Sequence, residues 1–241
     1  MRMRHKLLAL ALGTIALCAC STHPVMQNLD SFHHVYVFGS TAKLNVILTQ
    51  DSICQFGITG NNYDSANVYV RNDTLFAMFR KVDKGQNTIH ICSRQYKSII
   101  ALLVNHLTST NTLMIDSLDL EVSAGKGKTD LQLLGNRLCA EWKTISHVKL
   151  AGKCKEAYIT TPQLGKFNAL DLEVEDVYLQ TDCRKVIVNA TKNLCIEKAF
   201  LSTISYINTP EITIRDFKYS TLKYEEYLFP SKTNMDIEKM P

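Results

Sequence analysis

From Val35 onward, apolar residues recur at every second position in short runs, each closed by Gly, Asn, Asp or Lys. Leu44-Val46-Leu48, Leu75-Ala77-Phe79, Ile89-Ile91, Leu118-Leu120-Val122, Leu131-Leu133 and Leu170-Leu172-Val174 are examples. Asp, Glu, Lys, Asn and Thr fill the positions between. A period of two predicts strands with one face in a core and the other in water. Residues 99–106 are apolar enough to be either a short helix or a fully buried strand.

The strands also repeat. The pentapeptide LDLEV occurs at 118–122 and again at 170–174. Leu118, Leu138, Ala157, Val177 and Leu194 begin strands at intervals of 17 to 20 residues, and a second row, Leu131, Val148, Leu170 and Val186, interleaves with them. Short strands at such a period are what a β-solenoid needs, because each coil buries its inward side chains on the next. An antiparallel sandwich also has many short strands, but its usual Asn-Gly and Asp-Gly hairpin signals are absent. The expected fold is all-β: a single-stranded, right-handed, β-helix-like stack with about 20 residues per coil.

The N-terminus changes the picture. MRMRHK is a basic start, residues 7–17 (LLALALGTIAL) are uncharged and apolar, and Leu17-Cys18-Ala19-Cys20 follows. This is the layout of a secretory signal, too short for a transmembrane helix of about 20 residues. Leu17 and Ala19 stand where a bacterial lipoprotein signal carries a large aliphatic and a small residue before the modified cysteine. The expectation is therefore a lipoprotein signal over 1–19, with Cys20 acylated and held at the membrane. Ser21 in place of Asp points to the outer membrane. A tether over 20–31, a domain over 32–216, and a cap with a frayed tail over 217–241 complete the expected organisation.

Charge narrows the partners. Losing Arg2, Arg4 and Lys6 with the signal brings the formal net charge from +4 to +1, with 24 basic against 23 acidic groups. Such a domain has no overall attraction for nucleic acid. Cys54, Cys92, Cys139, Cys154, Cys183 and Cys195 would remain as thiols beside Cys20. They can form up to three disulfides in 15 pairings, or pack as buried thiols.

Catalytic and metal motifs are weak. Ser40-Thr41-Ala42-Lys43 fits S-x-x-K but has strand-like flanks and lacks the companion motifs. The segment GKGKT at 125–129 lacks the first glycine of a phosphate loop and reads as a turn. His33 and His34 would face opposite ways on a strand, so neither metal nor cofactor is expected. Asp119, Glu121, Asp171 and Glu173 are the candidate ligand-binding residues, because two stacked LDLEV segments would place them in outward ladders. Lys126, Lys128 and Lys149 stand near enough in sequence to balance them.

His34-Val35-Tyr36-Val37-Phe38-Gly39 followed by Leu44-Asn45-Val46-Ile47 resembles the opening strands of the GIN-type head domain of autotransporter adhesins. Asn72-Asp73-Thr74-Leu75 resembles its polar turn, and Tyr206-Ile207-Asn208-Thr209-Pro210 its closing motif. The resemblance covers residues 32–216 and implies a right-handed β-helix-like stack with an adhesive or scaffolding role. It carries no catalytic residues. The expected protein is a lipid-anchored, non-enzymatic envelope protein facing a glycan or another envelope protein. The alternatives are a polysaccharide-acting enzyme on the same frame and a periplasmic structural lipoprotein without an external ligand.

Overall fold

The structure, a computed structural model, describes residues 24–39, 44–60, 66–79, 87–123, 127–144, 147–162 and 165–226. The expected signal over 1–19, Cys20, Ser40 to Lys43, Gly125, Lys126 and the tail from 227 lie outside these. Among the described residues there are strands and no helix, wound into a β-solenoid of about six turns with about 20 residues per coil.

The regular coils lie in the second half. β10 (Leu113–Ser123), β11 (Lys128–Lys143), β12 (His147–Thr161), β13 (Lys166–Thr181) and β14 (Lys185–Phe200) pair in parallel, each with the next. In β11 the inside–outside alternation runs from Lys128 to Leu134, breaks at Gly135-Asn136-Arg137, and resumes from Leu138. Each long strand is thus two flat stretches joined by a corner. The early stretches stack into a first ladder and the late stretches into a second.

The first half supplies shorter rungs. β3 (Leu44–Gln50), β7 (Asn87–Ser93) and β9 (His106–Ser109) continue the first ladder, while β2 (His34–Gly39), β6 (Thr74–Phe79) and β8 (Ser98–Leu102) continue the second. Residues 99–106, left open between helix and strand, are therefore β8, a bend at Leu103 (φ 55) and the start of β9. Stacking does not follow chain order. The β2–β3 rung lies between the β6–β7 rung and the β8–β9 rung.

Antiparallel strands cover the N-terminal end. β5 (Ala66–Arg71) pairs with β6, β4 (Gln55–Thr59) with β7, and β1 (Gln27–Asn28) with β4. The β5–β6 turn is Asn72-Asp73, both with positive φ (51 and 63). Those angles suit a two-residue hairpin loop, and Asn and Asp tolerate them better than most residues. At the other end, β15 (Thr203–Ile207) and β16 (Glu211–Ile214) pair with β14. β17 (Phe217–Lys218) pairs with β14, and β18 (Thr221–Tyr224) with β15. Residues 217–224, expected as a cap, thus sit on the last rungs as parallel strands.

Inward side chains form columns along the axis. Leu75, Val35, Ile99, Leu120, Ala140, Ile159, Leu179 and Ile196 stack in register in the second ladder, all buried. Ile89, Val46, Leu107, Thr129, Val148, Phe167, Val186 and Ile204 do so in the first. Burial of these columns drives the stacking, at about 25 cal/mol per Å² of apolar surface.

Hydroxyls serve the coil ends. The Thr181 hydroxyl oxygen, buried, accepts the Thr161 hydroxyl at 2.7 Å and the Cys183 N–H at 2.9 Å. Thr181→Val keeps the shape but strands both donors. A loss of about 2 kcal/mol is expected, read as a lower urea midpoint at unchanged slope.

Candidate functional site

The outward surface carries the chemistry, and the register decides what meets on it. LDLEV at 118–122 lies in the second ladder, where Asp119 pairs with Cys139 and Glu121 with Glu141. LDLEV at 170–174 lies nearer the corner, where Asp171 pairs with Ala151 and Glu173 with Lys153. The residue stacked in Asp119's column on β13 is Tyr178, by way of Cys139 and Tyr158. The two pentapeptides are therefore offset around the coil, and the four acids do not share one ladder.

Cations already meet most of these acids. The ammonium of Lys149 is 3.2 Å from Asp171, and that of Lys153 is 2.7 Å from Glu173. Lys143 reaches Glu141 at 2.9 Å and Glu121 at 3.2 Å. Its own pKa is raised by the hydrogen bonds it donates to Glu141 first and Glu121 second. Sequence proximity pointed to Lys149 correctly; Lys143 and Lys153 come from the fold.

Asp119, Glu121, Cys139, Glu141, Tyr158 and Thr160 line a groove of about 440 Å³ on the second ladder. Tyr158 stacks on Tyr178 at 4.5 Å between ring centroids, and the Arg137 guanidinium lies 4.7 Å from the Tyr158 centroid. A general acid needs a desolvated carboxyl whose neutral form is favoured. Glu121 and Glu141 are instead 32% and 40% exposed and bridged by one ammonium. Such a groove suits contact with polar ligands better than proton transfer.

His33 and His34 do converge, on a residue that sequence spacing did not indicate. His33 Nδ1 lies 2.8 Å from Asp73 Oδ1, and His34 Nε2 lies 3.9 Å from Asp73 Oδ2. The hairpin turn brings Asp73 there, and its carbonyl also accepts the N–H groups of both histidines at 3.1 Å. The group joins the strand entry to the hairpin. No cluster of three or more His, Cys, Asp or Glu is placed to hold a metal among the described residues.

The six thiols are unbridged, and all but Cys139 are buried. Burial pushes the Cys154 thiol up to about 11 and raises Cys183 as well. Thiols raised by burial are poor nucleophiles at neutral pH.

The stacked parallel coils, with side chains in axial columns and an antiparallel cover at one end, define a β-solenoid of the kind that offers a long lateral surface. The sequence matches, over residues 31–210, the family described as "Putative auto-transporter adhesin, head GIN domain", and the chain belongs to that family. A solved structure of a putative adhesin from Bacteroides fragilis is similar at 22% identity, with a TM-score of 0.73, over 86% of this chain and 99% of that one. A putative adhesin from Parabacteroides distasonis is similar at 16% identity and a TM-score of 0.61, over 84% and 96% of the two chains. Another protein of that organism, described as a putative lipid binding protein, shares 16% identity with a TM-score of 0.57, over 86% and 98%. These likenesses show the fold. No curated protein matches the chain.

Proposed function

We propose that the chain is exported, anchored in the outer membrane by a lipid on Cys20, and acts without catalysis as an adhesin-like protein whose solenoid faces an extended glycan or envelope protein. The observation that carries this reading is the in-register stacking of parallel coils, which repeats outward side chains along one axis. A rigid ladder of that kind suits partners that are themselves extended. Membership of an adhesin family and the lipoprotein pattern at Leu17-Cys18-Ala19-Cys20 support the location.

The anchor has a direct test in cells fed an acyl-chain probe. The wild-type protein is expected to carry label and to sediment with membranes, and Cys20→Ser to lose both. Label persisting in Cys20→Ser would contradict the anchor. Several acyl chains, each methylene contributing about 0.8 kcal/mol, make the difference all-or-none.

A further inference from the structure

Five successive coils place a basic residue at one position. On the first ladder His106 pairs with Lys128, Lys128 with His147, His147 with Lys166, and Lys166 with Lys185. Parallel neighbours lie about 4.8 Å apart, so the five side chains form one outward column. Lys128, His147, Lys166 and Lys185 are exposed, and His106 is half-buried. Uncharged residues end the column, Asn45 on one side and Thr203 on the other.

Several lysines and an arginine outside this column are held in ion pairs. Lys143, Lys153, Lys192 and Arg215 each lie within 3.2 Å of a carboxylate. Lys128, Lys166 and Lys185 form no ion pair among the described residues. Like charges directly opposite on paired strands are destabilising. Lys166 and Lys185, direct neighbours in the column, therefore repel each other in the free protein, a repulsion that an anionic partner would relieve.

We propose that this column is a ligand-binding strip and that its ligand is a linear acidic polysaccharide lying along the solenoid axis. The inference rests on the reading of the protein as a non-enzymatic envelope binder and names the ligand class for that reading. The strip is one side chain wide and five rungs long. Two residues further along the strands, the adjoining column holds Thr108, Asp130, Lys149, Asn168 and Ile187, and Lys149 already faces Asp171. That narrow shape fits a single chain with an anionic group on successive sugars. A flat anionic membrane would call for positive charge spread over both columns.

The test is co-sedimentation of the purified mature protein with polygalacturonate, with neutral dextran and phosphatidylglycerol vesicles as comparisons. Polygalacturonate is expected to bind, more weakly at high salt, and dextran not to bind. Lys128→Gln/Lys166→Gln/Lys185→Gln should weaken binding about tenfold or more by removing the field of the strip. Lys153→Gln/Lys192→Gln, whose ammonium groups are already paired, should change it less than about twofold. Circular dichroism confirms that both variants fold. Equal losses in the two variants, or binding to vesicles with none to polygalacturonate, would overturn the strip. Acyl labelling at Cys20 reads the anchored-binder reading separately, so the two can fail independently.

Discussion

Gly152→Val is expected to destabilise the protein by about 4 kcal/mol or more, or to prevent folding altogether. Gly152 sits at a corner of β12 with φ +115, a conformation that L side chains rarely adopt. A Cβ there would lie 1.9 Å from the carbonyl oxygen of Leu133 on the preceding coil. That oxygen belongs to the backbone and cannot turn aside without breaking the ladder. The effect is steric and conformational at once, and no rotamer change relieves either part. Lys155→Ala, an exposed change on the same strand, should stay within about 0.5 kcal/mol. Thermal unfolding by circular dichroism separates them: a drop of roughly 10 °C or more for Gly152→Val against almost none for the control.

The second large effect is Phe167→Ala. Phe167 is 2% exposed and stands in the first-ladder column between Val148 and Val186, with its ring edge-on to Trp142 at 5.3 Å. Removing a buried ring and leaving its cavity costs about 3–5 kcal/mol. The aromatic pair contributes about 0.5–1.5 kcal/mol of that. Coils contact mainly their neighbours, so the loss falls on the junction of β12, β13 and β14 and weakens the coupling of the two ends. Phe167→Leu retains most of the volume and should cost under about 1.5 kcal/mol. Urea unfolding of the pair checks the ordering; similar losses would mean that the ring is not packed as described.

Both residues show where the sequence was legible. Hydrophobic alternation reports burial directly, and Leu118, Leu138, Ala157, Val177 and Leu194 do stand in register across five strands. The second predicted row was mixed. Val148 and Val186 flank Phe167, Leu131 pairs with Leu150, and Leu170 falls where the β13–β14 register slips between Ala169 and Glu173. The identical LDLEV segments misled for a related reason. One copy lies in a flat stretch and the other near a corner, and the corner absorbs residues without changing the composition. Corners depend on the sign of φ, which a period-two pattern does not encode. Among the outward residues, the acids of LDLEV drew attention because they sit in a repeat. Lys128, His147, Lys166 and Lys185 are 19 residues apart, yet exposed lysines give no apolar signal to mark that interval. Asp73 was invisible as a partner of His33 because a hairpin 40 residues on carries it there.

The central functional claim is that the anchored solenoid meets an extended partner, and an adhesive role requires that it face outward. External protease added to intact cells, with a lysed control, tests it most directly. Loss of the protein in intact cells, with a periplasmic marker spared, is the predicted result. Full protection until lysis would contradict the claim and leave a periplasmic scaffold as the reading to pursue.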